Sequence, residues 1–332
     1  MSFSRSKGER FVAFYRRSFY WSVLILVLIG ILLIYSRASL LAGNPQQLRV
    51  GATYMTMNND FYKTLNAEIE KSTNQKGGRL YVRDPELDES KQSQQIDYFI
   101  RQKVQVIVIN PVKSDSPVIL KSLRAAKKAG IKIIVVDTQI SKDLAVDTTI
   151  ISDNYQAGVL CAQDMMKQLD SADILLLEHS NTVSAVDRVQ GFLDTIKNKP
   201  AYRIVSQRET LGQTEVSMPQ VKKAIETGTS FNVVMSLNDR AAIGALAAIK
   251  NQALAKKIYI YGVDGSPDMK NLLANTLDIQ ATVAQSPIKM GEKVVEVIDK
   301  MSSKKTYQKE YVIPVELINK KNIGRYDLSG WQ

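Results

Sequence analysis

From Leu48 onward the chain alternates short β-branched runs with amphipathic stretches, and no other feature limits the possible folds as much. Ten apolar runs read as strands: RVGATYM, RLYVRD, VQVIVINP, IKIIVVDT, DTTIISDN, DILLLEHS, YRIVSQ, FNVVMSLND, KIYIYGVDG and LDIQATVAQ. Between them lie segments such as SPVILKSLRAAKKAG and NDRAAIGALAAIKNQ, which are amphipathic at helical spacing. Runs such as VIVI and IIVV lack polar alternation, so both faces of these strands are expected to be buried, as in a parallel sheet covered by helices. The expected class is α/β, doubly wound. Ten strands are more than one such sheet usually holds, and 332 residues exceed a single small domain, so two lobes are expected.

Composition narrows the functions. With 45% hydrophobic and 23% charged residues the chain is globular in character. The net charge of +11 invites a nucleic-acid reading, but much of it is local. Through residue 40 six basic residues (Arg5, Lys7, Arg10, Arg16, Arg17, Arg37) face Glu9 alone, and the rest of the chain carries 38 basic against 32 acidic residues without a long basic block. No nucleic-acid partner is expected. One cysteine, Cys161, and one histidine, His179, allow neither an internal disulfide nor a Cys/His metal cluster. His179 ends the run ILLLEH far from any GxSxG signature and reads as a strand-end or lobe-surface residue. No GxGxxG follows the first strand and no GxxxxGK[ST] occurs, so neither a nucleotide nor any other cofactor is expected.

The first forty residues hold a different signal. FYWSVLILVLIGILLIY, residues 19–35, is uncharged and long enough for a bilayer's hydrocarbon core. Tyr20, Trp21 and Tyr35 suit the two interfaces, and the basic residues precede the run, which keeps residues 1–18 cytoplasmic and exports the rest. A cleaved signal peptide with LLAG (40–43) as its exit is the competing reading, although the apolar run exceeds the usual core of about 7–15 residues. A lipoprotein anchor is excluded because no cysteine lies nearby. Residues 19–36 are therefore read as a transmembrane signal-anchor.

Nearly every central strand ends in Asn or Asp: Asn58, Asn59 and Asp60 in MTMNND, then Asn110, Asp137, Asp153, Asn154, Asn238, Asp239 and Asp264. In open parallel sheets the ligand crevice lies outside the carboxyl ends of the strands. Each residue also suits a plain helix N-cap, but caps would as readily be Ser or Thr, so the repetition favours a common site. Arg188, in SAVDRVQGF, is placed to reach the crevice, with a surface pair to Asp187 or Glu178 as the alternative. Gln285 ends the last strand before Pro287, and Phe61 and Tyr62 supply flat apolar faces unless they form a helix's first core turn. Carboxylates and amides with one guanidinium and aromatic faces suit a neutral polyhydroxylated ligand; an anion would meet Asp137 and Asp264. A glycosidase using those two carboxylates is disfavoured, since Arg188 and nearby amides are expected to keep both ionised and leave no general acid.

The segments TMNNDFY, VIVINP, VVDTQ, IISDNYQAG, SAVDRVQGF, SLNDRAAIGALAAI, YIYGVDGSPD and TVAQSPIKMGEKVVE resemble, in order, the type I periplasmic sugar-binding proteins of the ribose-binding branch. The resemblance implies two Rossmann-like lobes joined by three crossovers that close over a sugar. It places lobe 1 at residues 48–153 and 286–305, lobe 2 at 154–285 and 306–322, and a tail at 323–332, with crossovers at 153–155, 284–287 and 304–308. It implies ligand contacts from Asn59, Phe61, Tyr62, Asp137, Arg188, Asn238, Asp264 and Gln285, and no metal. Two positions depart from the pattern: Thr138 stands where such proteins usually carry arginine, and Leu211 where an aromatic is expected. The LacI-type repressors share the fold but carry a helix-turn-helix at the N-terminus, where this chain has an apolar span. The implied function is non-enzymatic, namely delivery of a neutral monosaccharide or polyol to an ABC transporter permease, with signalling to a membrane sensor histidine kinase as the alternative.

Overall fold

The computed structural model describes residues 5–41, 47–252 and 257–332 and divides into two units, Met1–Gln47 and Leu48–Gln332. In the first unit, helix α1 runs from Arg5 to Leu41. Within it the window Phe19–Arg37 has a mean hydropathy of 2.4 and none of it is buried. By length and apolarity this segment can cross a bilayer. Of the candidate exit LLAG, Ala42 and Gly43 lie outside the described residues.

In the second unit the expected alternation is realised. Strands β1 (Arg49–Thr53), β2 (Arg79–Arg83), β3 (Val106–Ile109), β4 (Lys132–Val136) and β5 (Thr148–Ser152) belong to one sheet. Strands β6 (Ala172–Glu178), β7 (Tyr202–Glu209), β8 (Val233–Ser236), β9 (Tyr259–Asp264) and β10 (Ile279–Ala284) belong to another. Two further strands, β11 (Glu310–Ile313) and β12 (Glu316–Asn319), complete the sheets in the orders β11-β5-β4-β3-β1-β2 and β12-β10-β9-β8-β6-β7. Pairing is parallel throughout except for the antiparallel edge β10–β12. All residues of β3 and all but the first of β4 are buried, as their unbroken VIVI and IIVV runs require.

Among the described residues, nine helices of this unit cover the sheets: α2 (Asp60–Gln75), α3 (Glu89–Arg101), α4 (Pro117–Lys128), α5 (Asn154–Gln168), α6 (Val183–Ile196), α7 (Thr214–Glu226), α8 (Asp239–Asn251), α9 (Pro267–Asn275) and α10 (Pro287–Ser302). Several begin where a strand-end side chain caps them. Asn59 Oδ1 accepts from the Phe61 amide, Asp153 Oδ1 from Gln156 and Asn238 Oδ1 from Ala241. The first lobe buries a core that includes Tyr54, Phe99, Ile107 and Ile134, whereas the second lobe has one cluster on each side of its sheet.

The chain passes between the sheets at Asp153, between Ala284 and Pro287, and again between Ile313 and Glu316. The third passage corrects the expected crossover at 304–308. Residues 306–313 stay with the first lobe because β11 pairs with β5, while only β12 joins the second. Nor is 323–332 a free tail. The buried ammonium of Lys270 on α9 donates to the carbonyls of Asp327 and Gly330, and Trp331 meets the Phe61 ring edge-on at 5.7 Å.

α5 and α6 cross at glycines. A Cβ on Gly158 would lie 1.9 Å from the Arg188 carbonyl oxygen, and one on Gly191 would lie 2.0 Å from that of Tyr155. This close approach sets the height of Arg188 on α6. Gly158→Ala must push the helices apart, and overpacking of this kind costs about 1–3 kcal/mol or more. The expected outcome is a lower urea midpoint with an unchanged m-value.

Candidate functional site

At the carboxyl ends of both sheets the lobes enclose a cavity with about 440 Å³ of atom-free space, partly continuous with solvent. All eight residues expected to contact ligand line it: Asn59, Phe61, Tyr62 and Asp137 from the first lobe, Arg188, Asn238 and Asp264 from the second, and Gln285 at a crossover. Phe61 and Tyr62 are both buried in the first lobe's core on the first turn of α2, and both also line the cavity, so the two readings hold together. Their rings stand nearly perpendicular at 5.5 Å, and Tyr62 stacks on Tyr54 at 5.7 Å.

Arg188 organises the charges. Its side chain is 5% exposed, with Nη2 3.9 Å from Asp137 Oδ1 and Nη1 3.8 Å from Asp264 Oδ1. Nε donates to Asn154 Oδ1 at 2.8 Å and Nη1 to the Leu237 carbonyl at 3.1 Å. The alternative surface pairing with Asp187 or Glu178 is not formed. The Tyr62 hydroxyl donates to Asp137 Oδ2 at 2.9 Å, and Gln285 Nε2 donates to Asp264 Oδ1 at 2.7 Å.

Burial nonetheless dominates the protonation of the carboxyls. It raises Asp137 despite Arg188 and the Tyr62 hydroxyl. Asp264 is pushed up to about 8 by burial and then by the nearby Asp239, against the pull of Arg188 and Gln285. The expectation that Arg188 keeps both carboxylates ionised therefore fails at Asp264, where desolvation outweighs a single guanidinium shared between two acids; at Asp137 burial pulls in the same direction. Both carboxyls also sit on unusual backbone, with φ +67° at Asp137 and +144° at Asp264. The second is costly for any residue with a Cβ and marks a place where the surroundings impose the conformation.

Other strand-end residues lie outside the lining. Asp60 is exposed and pairs with Lys63, and Asp153 caps α5. Asn110 ties Met55 N–H to Asp137 and the Val136 carbonyl, Asn154 holds Arg188, and Asp239 lies beneath the site, bound by Ser266 and Thr282. At the rim, Asn58 reaches Glu215 of the other lobe at 3.4 Å.

The lining also contains residues that the strand-end pattern does not point to: Met55, Thr182, Ser184, Gln213 and, above all, His179. His179 directly follows the end of β6, in keeping with the strand-end reading, but it is 5% exposed, which corrects the lobe-surface alternative. Leu211, at φ +52°, does stand in the wall. Thr138 is fully buried and outside the lining; its hydroxyl accepts from the Ser184 amide of the other lobe at 2.9 Å. Among the described residues no group of His, Cys, Asp and Glu is disposed to hold a metal.

The raised Asp264 gives a signed prediction. An unfolded Asp ionises near pH 4 and the folded group near pH 8, so the native state retains a proton that the unfolded chain has released, and stability falls as pH rises across that interval. Asp264→Asn keeps the shape without the titration. Relative to the parent, the ligand-free variant should gain about 3 °C or more in Tm between pH 5 and pH 9.

Residues 50–306 match the family of the periplasmic binding protein domain. The ribose import binding protein RbsB of Bacillus subtilis is 28% identical over 284 residues, covering 84% of this chain and 90% of that protein. An ABC transporter solute binding protein from Bacillus halodurans, solved with bound myo-inositol, superposes with a TM-score of 0.78 at 20% identity over 86% of this chain and 98% of its own. The periplasmic binding component of the arabinose ABC transporter from Shewanella sp. ANA-3, bound to L-arabinofuranose, gives 0.77 at 26% identity over 83% and 93%. The chain has the type I periplasmic binding protein fold, and it belongs to the periplasmic binding protein domain family, a family of solute-binding proteins and not of enzymes.

Proposed function

We propose that this protein is a membrane-anchored extracytoplasmic receptor that binds a neutral monosaccharide or polyol between its lobes and delivers it to an ABC transporter. The observation that carries this reading is the buried Arg188 between Asp137 and Asp264, within a cavity whose lining also includes side-chain amides, hydroxyls and the rings of Phe61 and Tyr62. Arg188 already shares its charge with Asp137 and Asp264, which leaves little of it for an anionic ligand, whereas sugar hydroxyls can donate to or accept from the carboxyls in either protonation state and accept from the guanidinium and amides. Phe61 and Tyr62 offer faces for the ligand's C–H surface.

Asn59, Phe61, Tyr62, Asp137, Arg188, Asn238, Asp264 and Gln285 are the proposed contacts. Ligand touching both lobes favours the closed arrangement by its differential affinity, and the closed lobes present a joint surface to the permease. The names of the relatives, which include ribose and D-apiose import binding proteins, support transport over the sensor-kinase alternative.

A thermal-shift screen of pentoses, hexoses, polyols and amino acids tests the binding. At a ligand concentration 100 times Kd the native state gains about 2.7 kcal/mol. At least one neutral sugar or polyol should raise Tm, and Arg188→Ala should abolish the shift. A response confined to amino acids or anions would overturn the reading.

Anchoring by residues 19–36 is tested separately. The full-length chain of 37.1 kDa should stay with membranes after an alkaline wash. Release of a shortened chain would make the segment a signal peptide instead.

A further inference from the structure

His179 follows β6, and Glu209 ends the neighbouring strand β7. The imidazole Nδ1 lies 3.2 Å from Glu209 Oε1. The same carboxylate accepts from the Ser180 amide and hydroxyl, each at 2.8 Å, and from the Leu211 amide at 2.9 Å. Burial opposes ionisation of Glu209, but the bonds from His179, Ser180 and Leu211 outweigh it and bring the carboxyl down to about 2. An ionised carboxylate only accepts, so Nδ1 carries a proton and its N–H donates a hydrogen bond to Glu209. The ring is thereby held in one orientation.

Its other nitrogen is unpaired. Among the described residues His179 Nε2 is buried and has no hydrogen-bond partner, and His179 lines the cavity. A buried polar atom without a partner is rare and costly unless something fills the vacant direction. A ligand hydroxyl does so whether Nε2 accepts or donates, because a hydroxyl can do both, whereas a C–H group cannot. Leu211, in the position where a sugar-stacking aromatic is expected, belongs to the same wall and is tied to the same Glu209 carboxylate.

We infer that His179, oriented by Glu209, is a hydroxyl-recognising contact on the second-lobe wall that selects ligands bearing a hydroxyl there over their deoxy counterparts. The inference rests on the sugar-binding reading of the same cavity and adds to it a specific subsite. The wall that would offer an aromatic face to C–H surface offers a polar nitrogen instead.

The test is calorimetric titration of the detergent-solubilised full chain with D-ribose, D-galactose, myo-inositol and D-sorbitol, followed by the monodeoxy derivatives of whichever binds. One derivative should bind the parent protein about ten- to a hundred-fold more weakly than its hydroxylated counterpart. In His179→Leu that one gap should close, through weaker binding of the hydroxylated ligand, while discrimination at the other hydroxyls persists. His179→Gln, which keeps a donor and an acceptor, should preserve most of the gap. A histidine that merely props Glu209 would weaken all ligands alike. Unchanged discrimination in His179→Leu, or equal weakening of every ligand in both variants, would overturn the subsite while leaving sugar binding intact. If the parent protein binds neither these four probes nor any neutral sugar or polyol of the thermal-shift screen, the functional reading and the subsite fall together.

Discussion

The cavity depends on one buried guanidinium. Arg188 cannot shed its charge, so it must find acceptors wherever the fold puts it, and it finds Asn154, the Leu237 carbonyl and two carboxyls. Its height is set in turn by the glycine-to-glycine crossing of α5 and α6. The first lobe contributes Asp137 and the second Asp264, so the electrostatics of the lining depend on how the lobes meet. Because each acid is buried and shares the same cation, neither is fully compensated, and the acids keep pKa values above the usual carboxylate range. Hydroxyl donors from a bound molecule would complete what the protein leaves unfinished.

Much of this was legible in the chain. Unbroken β-branched runs identified the buried parallel strands, because a strand covered on both faces has no reason to alternate. Asn and Asp at strand ends marked the mouth of the site, and the structure gathers Asn59, Asp137, Asn238 and Asp264 around one cavity. Asn59 and Asn238 also cap helices, so capping and cavity lining are two uses of one position. What escaped was information held between distant segments. β11 and β12 are short edge strands with exposed residues, separated by two residues, so nothing local shows which sheet each joins. His179 has no motif around it; its role emerges only when β6 and β7 set it beside Glu209. The strength of desolvation at Asp137 and Asp264 likewise depends on burial, which a list of neighbouring charges does not convey.

The two departures from the ribose-type pattern find different uses. At Thr138 a shorter side chain leaves the cavity altogether, and its hydroxyl accepts from the α6 amide of Ser184, joining the lobes where an arginine would reach toward ligand. At Leu211 an aliphatic side chain on left-handed backbone remains in the wall, and its amide helps to hold Glu209. Loss of a donor on one side and of an aromatic face on the other reshapes the cavity without altering its central charge arrangement.

The last residues of the chain lie at a mechanically sensitive place. Lys270 grips the backbone at Asp327 and Gly330 on the second lobe, whereas the next residue, Trp331, rests on Phe61 of the first. A purification tag or fluorophore fused after Gln332 would start two residues beyond Trp331, next to a contact with the ring that lines the cavity. Reporters of lobe movement are better inserted in the α9–β10 turn, where Leu277 is 78% exposed.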